Sequence, residues 1–225
     1  MSGVDVVKNL RSVLDNLPEG VSLVAISKFH PSEEIEAAYA AGQRVFGESH
    51  EQEIAKKVNE LPKDIEWHFI GHLQTNKVRF IAPYITMVES GDSEHLIREI
   101  NKQALKAERV IDVLLELHIA EEETKYGFSL DACHEFLTSG RWKELKGVRL
   151  RGLMMMASNV DDEALIASEF DLADHFFDEV KAKFFAEDAN FNVRSWGMSH
   201  DYKIAVNHGS TMVRVGTAIF GPREY

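Results

Sequence analysis

The sequence predicts a single (β/α)8 barrel, a TIM-type α/β fold with an additional N-terminal helix, and three observations lead there. About eight short apolar runs alternate with helical segments along 225 residues, within the usual size for one barrel. The runs are apolar throughout rather than alternating, as expected of a parallel sheet covered on both faces. No G-x-G-x-x-G follows the first run, where an open dinucleotide-binding sheet would carry one. No linker or low-complexity stretch divides the chain, so residues 1–225 read as one domain.

Each unit has its own signals. Val4, Val7, Leu10, Leu14 and Leu17 recur at helical spacing and predict a first helix that packs on the domain. The strand 21–28, "VSLVAISK", stops at Pro31; Ser32 is a good N-cap, Glu33 and Glu34 suit the first turn, and Gly42 marks the helix end. Strands follow at 43–49, 65–71 and 85–90, with helices in "HEQEIAKKVNEL", "TNKVRFIA" and "DSEHLIREINKQALKAE", the last opened by Asp92 or Ser93. The second half repeats the scheme with strands at 109–119, 148–158, 193–199 and 211–217. Its helices are "SLDACHEFLTSG", the long segment 162–186 and the short "HDYKIAVNHG".

Composition narrows the functional classes. The chain is 44% hydrophobic and 28% charged, as in a soluble globular protein, with a net charge of −12. That charge argues against nucleic acid or an anionic membrane surface as partner, since both need clustered Lys and Arg. A local pocket of backbone N–H groups still permits an anionic small ligand. The one cysteine, Cys133, excludes an intrachain disulfide and a C-x-x-C motif, and reads as a small helix residue. No apolar run is long enough to span a membrane and no signal-peptide core is present, so a cytoplasmic protein is expected.

A barrel places its active site at the C-terminal ends of the strands. Those positions hold Lys28, then Glu48 and Ser49, Gly71 and His72, Glu89 and Ser90. The later strands contribute His118, Met156 and Ala157, Met198 and Ser199, Gly216 and Thr217. Lys28 reads either as an ordinary lysine where a strand meets water or as an amine nucleophile for a carbonyl. "GMSHDYK" and "GTAIFG" each put a Gly and a hydroxyl residue where a strand ends and a helix begins. Ser199 and Thr217 are therefore plain caps or parts of a phosphate site, which barrels often build in the loops after strands seven and eight. Arg214, three residues before Thr217, needs a carboxylate, phosphate or ring nitrogen if buried; by strand alternation it faces away from Thr217 unless the strand end bends. His68 and His72 are spaced i, i+4 but lie on a strand and its turn, so no metal site is expected. Among Met154, Met155 and Met156, core and helix-facing side chains are expected, one of them flooring the pocket. The acidic run Glu121 to Glu123 reads as a solvated loop, with Lys125 after it a surface residue.

The stretches "AISKFHP", "AYAAGQRVFGES", "WHFIGHLQTNK", "TKYGF", "RGLMMMA" and "WGMSHDYKIAVNHGSTMVRVGTAIFGPREY" closely resemble the pyridoxal phosphate homeostasis protein family, relatives of the alanine racemase barrel. They span nearly the whole chain. The resemblance implies pyridoxal 5′-phosphate bound as an aldimine with Lys28, its phosphate held by Ser199, Gly216 and Thr217 beside Met198. It implies Arg214 near the pyridine nitrogen, where adjacent positive charge disfavours protonation and weakens the electron sink. Departures occur at "FGESH", where Ser49 and His50 replace an Asn and a Tyr, leaving a Ser49 contact to the ring hydroxyl open. His72 stands where Pro is common, and "MVES" lacks a usual His-Ser pair.

The implied function is intracellular homeostasis of pyridoxal phosphate, released or delivered by transimination to free amino acids or apo-enzymes, without catalytic turnover. A monomer is expected, since the chain ends eight residues after Thr217 without the second domain that supplies a racemase's tyrosine. The alternatives are an amino-acid racemase and a Schiff-base aldolase acting on a sugar phosphate through the same lysine.

Overall fold

The computed structural model describes residues 4–119 and 126–222, so the expectations for Glu121 to Glu123 and for Lys125 lie outside the described residues. After α1 (Val6–Leu14) come β1 (Ser22–Ile26), α2 (Ser32–Ala40), β2 (Val45–Glu48) and α3 (Glu51–Glu60). Then follow β3 (Glu66–Phe69), α4 (Val78–Ile81), β4 (Met87–Gly91), α5 (Glu94–Lys106), β5 (Ile111–Leu117) and α6 (Leu130–Thr138). The last units are β6 (Val148–Met155), α7 (Glu163–Phe184), β7 (Val193–Ser195), α8 (Tyr202–Ala205), β8 (Met212–Val215) and α9 (Thr217–Phe220). All eight strands pair in parallel in chain order, and β8 closes onto β1 with Val24 opposite Arg214. The expected barrel is the fold.

Helix starts follow side-chain capping. Ser93 accepts from the Leu96 N–H, Ser129 from Ala132, and Asp162 from both Ala164 and Leu165, each satisfying a donor that a helix start leaves unpaired. α5 buries the stripe Leu96, Ile97, Ile100 and Ala104 against the barrel wall. Every residue of β5 is buried, including Asp112 and Glu116. Cys133 is fully buried on α6, and burial pushes its thiol up to about 12.

Several expectations are corrected. Ser32 is the first helical residue after Pro31 rather than an N-cap, and its hydroxyl donates to Glu60 at 2.6 Å. On α1 the buried stripe is Val6, Leu10 and Val13, with Leu14 exposed; the apolar spacing admitted two stripes, and docking on the barrel selected one. The strands are shorter than the apolar runs, since pairing ends where the chain bends, so Met198 and Ser199 lie in a loop beyond β7. α8 starts at Tyr202 after Asp201, so Ser199 is not its cap; Thr217 likewise opens α9 behind Gly216.

Candidate functional site

Strand alternation sorts the barrel interior into layers, because side chains two apart share a face. A lower layer is apolar: Val24 and Ile26, Met87, Leu114, Met154, Val193 and Met212 pack together there. Met155 joins the outer core instead and Met156 sits partly buried above Met154, so the three methionines divide as expected. Two residues further along β4, β5, β7 and β8 stand Glu89, Glu116, Ser195 and Arg214, a polar layer inside the barrel.

Arg214 is the hub of that layer. It is 5% exposed, and one guanidinium nitrogen donates to the Ser195 carbonyl at 2.7 Å and hydroxyl at 2.6 Å, the other to the Met155 carbonyl at 2.9 Å. Glu89 Oε2 lies 3.7 Å from the guanidinium and accepts from Ser195 Oγ at 2.6 Å, while Glu89 Oε1 and His68 Nδ1 are 2.8 Å apart. Burial opposes ionisation of Glu89, but His68, Arg214 and Ser195 more than offset it and lower its pKa. Burial also lowers the Arg214 pKa, against the pull of Glu89, Asp201 and Glu116. Arg214 shares the inward face with Met212 and Gly216.

Lys28 follows β1, half-buried, two residues past the inward-facing Ile26. The neighbouring end of β8 approaches it closely: a Cβ on Gly216 would stand 3.1 Å from the Ile26 carbonyl oxygen and Cβ, tighter than an ordinary contact. Ser199 reaches across from the β7 loop, and its Oγ accepts from the Gly216 N–H at 3.1 Å. Thr217 is exposed in the first turn of α9, where N–H groups lack intrahelical acceptors. The Met198 N–H is held by Asp201 Oδ1. Ser49 stands half-buried at the end of β2, its hydroxyl 3.1 Å from His50 Nδ1.

The structure thus joins Ser199 to Gly216 and sets both beside the β1 end that carries Lys28, with Arg214 below. Glu116 and Ser195 are not among the sequence candidates, and His68 and Glu89 appear there separately, not as a pair; a carboxylate inside an otherwise apolar strand was the available signal. His72 pairs with Asp92 at 3.1 Å. A cavity of about 460 Å³ opens at the opposite end of the barrel, between Ser22, Glu66, Thr86, Asp112 and Thr211 at the strand starts. His68, Asp112 and Arg151 also line that cavity, whereas Lys28, Ser199 and Gly216 gather at the strand C-termini, where barrels of this kind place function.

This barrel, with a lysine after its first strand and a hydroxyl–glycine contact between its last two loops, falls in a defined class: the family described as alanine racemase, N-terminal domain, matches residues 5–224. Within that class, the chain belongs to the pyridoxal phosphate homeostasis protein family. It is 36% identical over 208 residues to the Pyridoxal phosphate homeostasis protein of Aquifex aeolicus, covering 90% of this chain and 87% of that one. The protein of the same name from Escherichia coli K12 is 34% identical over 238 residues, covering 98% of each. PipY of Synechococcus elongatus, solved without PLP, superposes with a TM-score of 0.90 at 33% identity, over 96% of this chain and 100% of that one. Its structure with PLP bound superposes at 0.86 with 32% identity and the same coverage.

Proposed function

We propose that the protein binds pyridoxal 5′-phosphate on Lys28 and serves its homeostasis, holding and releasing the cofactor rather than turning over a substrate. The observation that carries this reading is the placement of Lys28 beside the Ser199–Gly216 contact, 3.1 Å long, at the joined ends of β1 and β8. A family relative solved with PLP bound supports the choice of ligand.

The residues fit the group. The Ser199 hydroxyl, whose hydrogen the contact with Gly216 leaves unused, and the Thr217 N–H would offer donors for a phosphate, with Met198 beside them. Arg214 would supply a fixed positive charge on the inward face below. Ser49, half-buried at the neighbouring strand end, would offer a hydroxyl to the bound ring. When bound, pyridoxal phosphate supplies an aldehyde carbon that a lysine amine attacks with loss of one water. Lys28 is the amine in this position, and exchange with free amino acids or an apo-enzyme's lysine would release the cofactor. The reading further assigns the chain to one domain, a monomer and the cytoplasm. No helix among the described residues is long and apolar enough to cross a membrane.

An absorbance titration tests it. Addition of pyridoxal phosphate produces a visible band that borohydride removes, and the Lys28→Ala variant shows none. A protein that gains no band, or a variant that keeps it, overturns the assignment. Racemisation of alanine at enzyme-like rates would overturn the non-catalytic part.

A further inference from the structure

The residues on either side of Lys28 are gripped from the helix side of the barrel by a buried ion cluster that cofactor binding does not itself use. Lys57 on α3 is 5% exposed. Its ammonium donates to the Ser27 carbonyl at 2.9 Å, to Glu48 Oε1 at 2.8 Å and to Glu53 Oε2 at 2.9 Å, which employs all three of its N–H groups. The two carboxylates then reach back to the same stretch of chain. The Ser27 hydroxyl donates to Glu48 Oε1 at 2.6 Å, and the Phe29 N–H donates to Glu53 Oε2 at 2.9 Å. Phe29 has φ +67°, a left-handed conformation that a non-glycine residue holds only where its surroundings impose it.

We infer that Lys57, with Glu48 and Glu53, positions Lys28: the cluster fixes the backbone one residue before and one residue after it, and so sets the direction in which its side chain leaves β1. The inference rests on the reading of Lys28 as the cofactor's anchor. Lys57 and Glu48 lie on the helix side of the wall, so they act through the backbone of Ser27 and Phe29. The cluster holds two carboxylates against one ammonium. Removing Lys57 strands the fully buried Glu48, whereas Glu53 is the partly exposed end and its loss leaves the Lys57–Glu48 pair in place.

The test uses Glu53→Ala as the main variant and Lys57→Met beside it, with two probes, pyridoxal phosphate and pyridoxine 5′-phosphate. The second probe carries an alcohol in place of the aldehyde and reports phosphate and ring binding without the bond to Lys28. Glu53→Ala is expected to weaken pyridoxal phosphate about tenfold, the effect of one charge-assisted hydrogen bond, while pyridoxine phosphate stays within about twofold of the parent. In the ligand-free protein, amide exchange at Phe29 is expected to accelerate about 100-fold. Equal weakening of both probes, unchanged pyridoxal phosphate binding, or unchanged Phe29 exchange each overturns the inference. If Lys57→Met does not fold, Glu53→Ala decides alone. A parent protein that forms no bond at Lys28 sinks the cofactor reading instead, and Phe29 exchange still decides whether the cluster holds the turn.

Discussion

Glu116 lies among the inward-facing side chains of β5, 4% exposed, and among the described residues its Oε2 accepts no hydrogen bond. Burial pushes its carboxyl up to about 7, with Asp92 adding to the rise and Arg214 opposing it. The folded chain therefore binds this proton more tightly than the unfolded chain, whose carboxyl titrates near 4.5. The resulting stabilisation is complete below pH 4.5 and is lost as the pH climbs through about 7. Glu116→Gln keeps the neutral form at every pH, so it should be more stable than the parent at pH 8 by about 1–3 kcal/mol. Urea melts at pH 5 and pH 8 check this, and an equal gap at both values would sink it. A glutamate in the run "VLLEL" is visible to any reader of the sequence. Its raised pKa is not, because burial inside the closed barrel and the approach of Asp92 from the end of another strand depend on the tertiary structure.

At the scale of elements, the turn from β7 into α8 decides where Ser199 sits. Gly197 has φ +98°, and a Cβ there would lie 2.6 Å from the Ala205 Cβ and 2.9 Å from the Tyr202 Cα. α8 therefore packs directly on the strand end, and the intervening loop presents Ser199 to Gly216. Gly197→Ala is expected to lose about 2 kcal/mol, combining the strained backbone with the overlap against α8. A thermal melt measures the loss, and pyridoxine phosphate affinity should fall with it as the loop shifts. Unaltered melting would show that α8 can slide away at little cost. From sequence, "GMS" and "GTA" were legible as strand endings with hydroxyl residues. That Ser199 would be an acceptor for the Gly216 N–H, rather than a cap for its own helix, required the two loops to be seen side by side.

Across the whole molecule, the barrel is closed by β8 on β1 and then latched from outside. α1 crosses to α9: Asn9 Nδ2 donates to the Ile219 carbonyl at 3.1 Å, and Leu10 is fully buried beneath the helix. The first helix thus supports the last one, whose start carries Thr217. Leu10→Ala should cost about 2–5 kcal/mol through lost burial and the cavity it leaves. Chemical denaturation reads that loss directly; a cost under about 1 kcal/mol would mean that α1 is an appendage rather than a latch.

The order of eight strand–helix units, the extra helix at the start, and Lys28, Ser199, Gly216 and Thr217 as strand-end candidates were determined by the sequence itself. Apolar runs, capping residues and chain punctuation are local signals, written in consecutive residues. Which way Arg214 faces, which carboxylates surround it and what braces Lys28 were decided only by tertiary structure. Glu89 and Ser195 stand 106 positions apart and Lys57 reaches Ser27 across 30, yet each pair is within hydrogen-bond distance. Closing the barrel creates those neighbours and the burial that sets the state of each charge.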